Sequence, residues 1–236
     1  LPSLSEIIIR MWIDRHDYPL HIGSTLYASS AGFLIGNILG VCAGVLFVLY
    51  PMTLRLSRGF NIAIFSLPPI AIAPILVITL SGMAPRIVLA TMGVYFITMT
   101  ATVVGLSQAD SRTSELIRAY GGNKLQILRL VQFRSAIPSI LAGFRIAAPN
   151  AVLGAILAEF GGGGRWGLGT YLLGSLGRGE PDRLWGIGLM ATLISGASYF
   201  LFVVISNRFL KGSTSITLNT AIPTDVTKNE HVLKTF

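Results

Sequence analysis

Two charges stand inside stretches that are otherwise apolar, Arg145 and Glu159, and their types give them the widest chemical reach in the chain. A guanidinium seven residues past Pro138 lies about 10 Å along a helix. A charge at that depth costs about 3 kcal/mol on insertion scales, so it has to face a bundle interior or a water-filled cavity. Arg145 then has two readings: attraction of an anion such as a sulfonate or carboxylate, or hydrogen bonds to neighbouring carbonyls and snorkelling to the surface. Glu159 is fourteen residues further along, about 21 Å by the same rise, so the two cannot pair on one helix and each needs its own partner. As an intramembrane acid or base Glu159 would need a second titratable group or metal ligands at its depth, and no other span supplies one. Pro68, Pro69 and Pro74 remove backbone donors within one apolar run and free carbonyls there. Transporters use such broken helices to line a pathway and to hinge; a packing kink is the plainer alternative. With Asn150, these residues form the candidate pathway set.

Other chemistries lack their residues. Cys42, the single cysteine, sits in an apolar run, and His16, His21 and His231 have no ligand spacing, so no metal is expected. The Gly161–Gly164 run reads as a flexible turn at the outer surface. No Lys-Ser/Thr follows it, and no phosphate-binding loop occurs elsewhere in the chain.

The elements that position these residues are membrane helices. Hydrophobic residues make up 52% of the chain and charged ones 12%, with a mean hydropathy of +0.69, against about a quarter charged in soluble domains. The net charge of +8 fits cationic loops facing the cytoplasm and anionic lipid headgroups. Without aromatic interleaving of a basic patch, nucleic acid is not an expected partner. Five segments have the roughly 20 apolar residues a crossing needs: 26–50, 60–81, 85–107, 138–159 and 185–206. The fold class is therefore all-α, a polytopic helical bundle occupying residues 1–206. Residues 3–16 read as an amphipathic interfacial helix, with Leu4, Ile8, Met11 and Trp12 on one face and Glu6, Arg10 and Asp14 opposite. The polar tail, 207–236, reads as a flexible extension. No signal peptide is recognisable ahead of the first apolar stretch.

A polar loop, 108–137, interrupts the spans. A short helix reaches a double glycine, Gly121-Gly122, and an amphipathic segment follows, with Leu125, Leu128 and Val131-Gln132 toward the bundle and Lys124 and Arg129 wet. Placing this loop in the cytoplasm puts eleven Lys and Arg residues, from Arg55 and Arg58 to Lys234, on that side. Six remain opposite: Arg10, Arg15, Arg86, Arg165, Arg178 and Arg183.

The loop resembles the coupling motif of permease subunits in binding-protein-dependent ABC importers of type I. That motif runs Glu-Ala-Ala, three residues, Gly, nine residues, Ile-x-Leu-Pro. Glu115 and Gly121 keep the separation; Leu116-Ile117 replaces Ala-Ala, and Val131-Gln132-Phe133-Arg134 stands where Ile-x-Leu-Pro is expected. Three further pieces resemble the branch that serves sulfonates, taurine, nitrate, bicarbonate and some vitamin precursors. They are Leu1-Pro2-Ser3-Leu4-Ser5-Glu6, the proline-rich Ser66–Leu76 run, and Ala142-Gly143-Phe144-Arg145-Ile146 with Ala158-Glu159 and Gly167-Leu168-Gly169.

The resemblance implies that Glu115, Leu116, Ile117, Ala119, Tyr120, Gly121, Gly122 and Lys124 contact an ATPase. It also places Arg145 in a shared scaffold motif, which favours a bracing role. The implied partners are ABC ATPase subunits on separate chains, a second permease chain (identical or homologous), an extracytoplasmic substrate-binding protein and membrane lipids. This chain would bind no cofactor, with ATP and Mg on the ATPase. The substrate would be a small organic or inorganic anion or a vitamin precursor, and the location a bacterial-type inner membrane. A chain opening just after a first helix would have six spans in the full protein and both termini in the cytoplasm. An ATP-independent carrier would not need so long a loop, and an intramembrane enzyme using Glu159 is the remaining alternative.

Overall fold

Gly32, Gly36, Gly40 and Gly44 recur at every fourth position, so they share one face of a helix. Lipid supplies no hydrophobic drive for helices to associate, and close backbone approach along small residues takes its place. The computed structural model, which describes residues 2–218, shows this stripe to be the centre of the fold. The elements are α1 (Leu4–Ile13), α2 (Tyr18–Leu49), α3 (Pro51–Ser66), α4 (Pro69–Thr79), α5 (Ala84–Ser107), α6 (Ser111–Ala119), α7 (Lys124–Ile127), α8 (Phe133–Phe160), α9 (Leu168–Arg178) and α10 (Pro181–Leu218). A three-residue 3-10 turn follows α1, and a π turn, Leu128–Gln132, joins α7 to α8. No strand occurs among the described residues.

The glycine face of α2 lies on Ala90, Val94, Thr98 and Thr102 of α5, themselves four apart; a Cβ at Gly36 would stand 2.6 Å from that of Val94. The other side of α5 meets α8 by the same device, with Gly143 against Ala101 and Gly154 against the backbone at Ala90. Polar side chains inside this three-helix core are satisfied locally. Thr98 Oγ1 donates to Asn37 Oδ1 at 2.6 Å, and Thr102 Oγ1 to the Thr98 carbonyl at 2.7 Å. At one end, here the loop end, Leu106, Leu128, Ala136 and Ile140 form a buried cluster. At the far end Tyr18, Leu168, Tyr171 and Ile187 bring α9 and α10 onto α2.

Among the described residues, four helices are long and apolar enough to cross a membrane: Tyr18–Leu49, Ala84–Ser107, Lys124–Phe160 and Pro181–Phe209. The expected span 60–81 is not one helix. It divides at Leu67 into α3 and the 11-residue α4, which covers about 16 Å of a roughly 30 Å core. The cause is Pro68-Pro69, which offers no N–H to continue α3 and holds Pro68 extended at ψ 124 as the cap of α4. Arg55 and Arg58 accordingly lie on a helix and not in a loop. The polar tail does not begin at 207 either, because α10 continues unbroken to Leu218; residues 219–236 lie outside the described residues.

The N-terminal helix carries a capping box, Ser3 with Glu6, and it forms where the periodicity places it. Leu4, Ile8 and Trp12 point away from the bundle, whereas Met11, expected on the same face, tucks against Gly186. Asp14 is 4% exposed because Arg183 of α10 grips it with bonds of 2.6 and 2.9 Å. Arg10 adds a bond to Asp14 at 3.1 Å, and Arg183 a further one to Glu180 at 2.5 Å.

Candidate coupling surface and membrane site

The helix α6 is fastened at both ends by its own sequence. Asp110 caps it, accepting from the Arg112 and Thr113 amides at 3.1 and 3.3 Å and from the Thr113 hydroxyl at 2.7 Å. These bonds, led by that hydroxyl, hold the Asp110 carboxyl below the usual carboxylate range. At the other end Gly121 takes φ +80 and donates to Arg118 O at 2.9 Å, while Gly122 donates to Ile117 O at 2.8 Å. This is a Schellman closure, and only glycine enters that conformation without strain. Nothing lies near Gly121, whereas a Cβ on Gly122 would run into Ile117. Asn123 and Gln126 then exchange capping bonds of 2.9 and 2.7 Å to start α7. Two glycines thus separate α6 from α7, while Gln108–Asp110 join α6 to α5.

No residue of α6 is buried. Glu115, Ala119 and Lys124 are exposed, Leu116 is 56% and Tyr120 85% exposed, and Ile117 is partly covered, by Gly122. Behind them Arg118, Lys124, Ile127 and Gln132 form a groove of about 210 Å³ with Val48, Leu49 and Pro51. Of the residues expected to face the bundle, Leu128 is buried and Val131 and Gln132 are partly so. Leu125 is 63% exposed, and Ile127 takes its place at 4%. The π turn supplies the reason: an extra residue per turn shifts the register of the apolar face just before α8.

The pathway candidates do not gather in one place. Pro69 and Asn150 line a small cleft of about 90 Å³ with Phe65, Leu67, Met92 and Leu153, where the α3–α4 break meets α5 and α8. Pro68 and Pro74 lie on the same break and on α4, both exposed, and Asn150 Nδ2 donates to the Ile146 carbonyl at 2.9 Å. Arg145 is elsewhere: its Nη2 donates to Ser206 Oγ at 2.5 Å and Asn207 Oδ1 at 3.0 Å, tying α8 to α10.

Glu159 is at the far end, fully buried. Thr25 Oγ1 of α2 lies 2.9 Å from both carboxylate oxygens, the Gly169 amide donates at 3.0 Å, and Arg86 Nη1 of α5 stands at 3.6 Å. The Lys and Arg pattern sets Arg86 among the outer charges and carries no sign of this partnership; Pro85-Arg86 instead opens α5, and the Arg86 side chain is 3% exposed. Arg86 also donates to the Gly163 carbonyl and, at 2.6 Å, to Ser24 Oγ, which donates to Trp166 O at 2.8 Å. His21 Nδ1 meets Gly167 at 2.8 Å from its carbonyl and 3.1 Å from its amide. The Gly161–Gly164 stretch is therefore a fastened turn and not the loose one expected: Gly162 and Gly164 adopt positive φ, and a side chain on Gly164 would collide with Arg86. On the surface of this turn stand Arg165 and Trp166, the guanidinium 5.2 Å from the ring centre.

Residues 36–212 match the model of a family described as binding-protein-dependent transport system inner membrane component. A probable ABC transporter permease protein of Haemophilus influenzae is 27% identical over 80% of this chain and 78% of its own length. The formylaminopyrimidine transport permease protein ThiX of Halalkalibacterium halodurans is 29% identical over 72% of this chain and 69% of its own. Among solved structures, a chain from inward-facing MetNI methionine ABC transporter superposes with a TM-score of 0.61 at 19% identity, covering 86% of this chain and 97% of that one.

Proposed function

The chain belongs to the inner membrane components of binding-protein-dependent transport systems and is a permease subunit of an ABC importer, and from that premise we propose that α6 is the lever through which a separate ATPase drives it. The observation that carries this is a helix capped at both ends, with no buried residue, linked to α5 by Gln108–Asp110 and to α7 through Gly121-Gly122. Leu116 and Tyr120 offer the apolar contact, Glu115 and Lys124 the charges, and the groove behind them lets the lever press on the ends of α2 and α3. The loop end and the C-terminus are cytoplasmic in this reading, in agreement with the Lys and Arg bias. ATP and Mg belong to the ATPase.

Two permease chains enclose the pathway. The far end, with Arg165 and Trp166 uncovered, receives the substrate-binding protein. ATP-driven closure draws two α6 levers together, and the bundles rock between inward and outward openings. The cleft at Pro69 and Asn150, on the α3–α4 break, lies on the pathway; Arg145 and Glu159 brace the bundle, each engaged by partners in the same chain. The substrate is a small organic or inorganic anion or a vitamin precursor, the latter supported by the relative named for formylaminopyrimidine transport. Purified permease, ATPase and binding protein in proteoliposomes test the reading. It requires substrate uptake that depends on all three, and uptake by the permease alone contradicts it.

A further inference from the structure

The N-terminal helix is built inside out for water. Two of its charges are spent on the protein, beside the packed Ile7 and Met11: Asp14 is 4% exposed under Arg183, and Arg10 reaches Asp14 at 3.1 Å and Glu180 at 3.7 Å. Its apolar face points away, with Leu4, Ile8, Ile9, Trp12 and Ile13 between 57% and 70% exposed. A helix beside an aqueous phase turns the other way, because apolar area seeks cover and charges seek water. The position of α1 identifies what covers it. One three-residue turn joins it to α2, a membrane-spanning helix whose own outward residues, Leu20 and Tyr27, are 58% and 63% exposed. The apolar face of α1 is thus continuous with a surface that meets lipid. At its end the Arg15 guanidinium lies 4.9 Å from the Trp12 ring centre and donates to the Trp12 carbonyl at 2.9 Å, a cation and an indole together as at a headgroup boundary.

We propose that α1 is a lipid-binding outrigger. Leu4, Ile8, Ile9, Trp12 and Ile13 are immersed among the acyl chains of the leaflet at the far end, and the Asp14–Arg183 clasp fixes the start of α10 to that leaflet. The expectation of an interfacial helix is deepened by this, since the charged side is the one pinned to α10 and the bilayer takes the other.

Trp12 reports its own surroundings. In the full chain with Trp166→Phe and Trp185→Phe, only Trp12 of the three tryptophans remains. Reconstituted into nanodiscs of phosphatidylcholine brominated on the upper acyl chain, it should lose at least half the emission seen in unbrominated lipid and resist iodide. Strong iodide quenching without bromine quenching places the face in water and overturns the proposal. Insensitivity to both quenchers, with cross-linking between copies carrying Trp12→Cys and Cys42→Ala, places it against a second copy and overturns it as well. Where the two Phe changes prevent folding, a spin label on that same Trp12→Cys, Cys42→Ala chain separates the same cases. Its accessibility to oxygen should exceed that to a water-soluble nickel complex, and the reverse order overturns the proposal.

Discussion

Removing the Glu159 carboxylate should unfasten the far end of the bundle. Glu159 is fully buried and Arg86 is 3% exposed, 3.6 Å away. Glu159→Ala therefore leaves an enclosed guanidinium without its countercharge and strands the Thr25 hydroxyl and the Gly169 amide. Breaking a buried pair from one side costs about 3–5 kcal/mol; the lost hydrogen bonds are part of that figure, not additions to it. At roughly 2–4 °C per kcal/mol for a chain of this size, the apparent Tm in detergent should fall by about 6–20 °C. The turn that Arg86 holds at Gly163 should open too, so trypsin should cut faster after Arg165. Arg86→Met with Glu159→Leu removes both charges and leaves apolar groups of similar volume, an exchange that is often near neutral; it should recover most of the loss. A single variant within about 2 °C of the parent, or a double variant no better than the single, would show that the pair does not fasten this end.

Further outcomes rest on the same geometry. Arg145→Ala loses the bonds to Ser206 and Asn207, so protein yield and Tm should drop while uptake per folded molecule persists; abolished uptake at normal Tm would make Arg145 a substrate ligand. Gly36→Leu drives side-chain atoms into Val94, where a Cβ already stands at 2.6 Å, and overpacking of this kind costs about 1–3 kcal/mol or more. Size-exclusion profiles should show loss of the folded species, whereas Ile35→Leu, on the exposed side of α2, should leave the profile unchanged. The depressed Asp110 carboxyl stabilises α6 fully above the ordinary value of 3.8 and loses that contribution as pH falls through its lower folded value. Asp110→Asn should keep the cap and Asp110→Ala should speed amide exchange at Arg112 and Thr113.

The apolar runs and the loop were legible because hydropathy and glycine punctuation are local. Four long helices stand at or near their expected places, and the break at Gly121-Gly122 has, at Gly121, the positive φ that two adjacent glycines invite. The split at Leu67 was signalled by Pro68-Pro69, but a run of apolar residues on both sides read as one span. The four-residue glycine stripe of α2 is present in the sequence too, but its role as a packing face shows only against α5. What stayed hidden depends on distance along the chain. Arg86 and Glu159 are brought together only when α5 packs on α8, so Arg86 read as an outer-surface charge. Likewise the clasp on Asp14 that seats α1 comes from Arg183, which reaches it across 169 positions, and no local periodicity encodes that. Leu125 and Ile127 exchanged places through a π turn that leaves the 3.6-residue pattern intact on either side.

If α6 is the lever, Gly121 is the joint at which it can be disabled. Its φ is +80 with open space around it, so Gly121→Val perturbs the backbone joint and nothing else, at about 1–3 kcal/mol of strain. Glu115→Arg reverses a charge on the exposed face. In proteoliposomes holding the permease, its ATPase and the binding protein, each variant should insert normally, yet lose most binding-protein-stimulated ATP hydrolysis and the uptake that goes with it. Stimulated hydrolysis and uptake at parental rates in both variants would mean that α6 is not the lever.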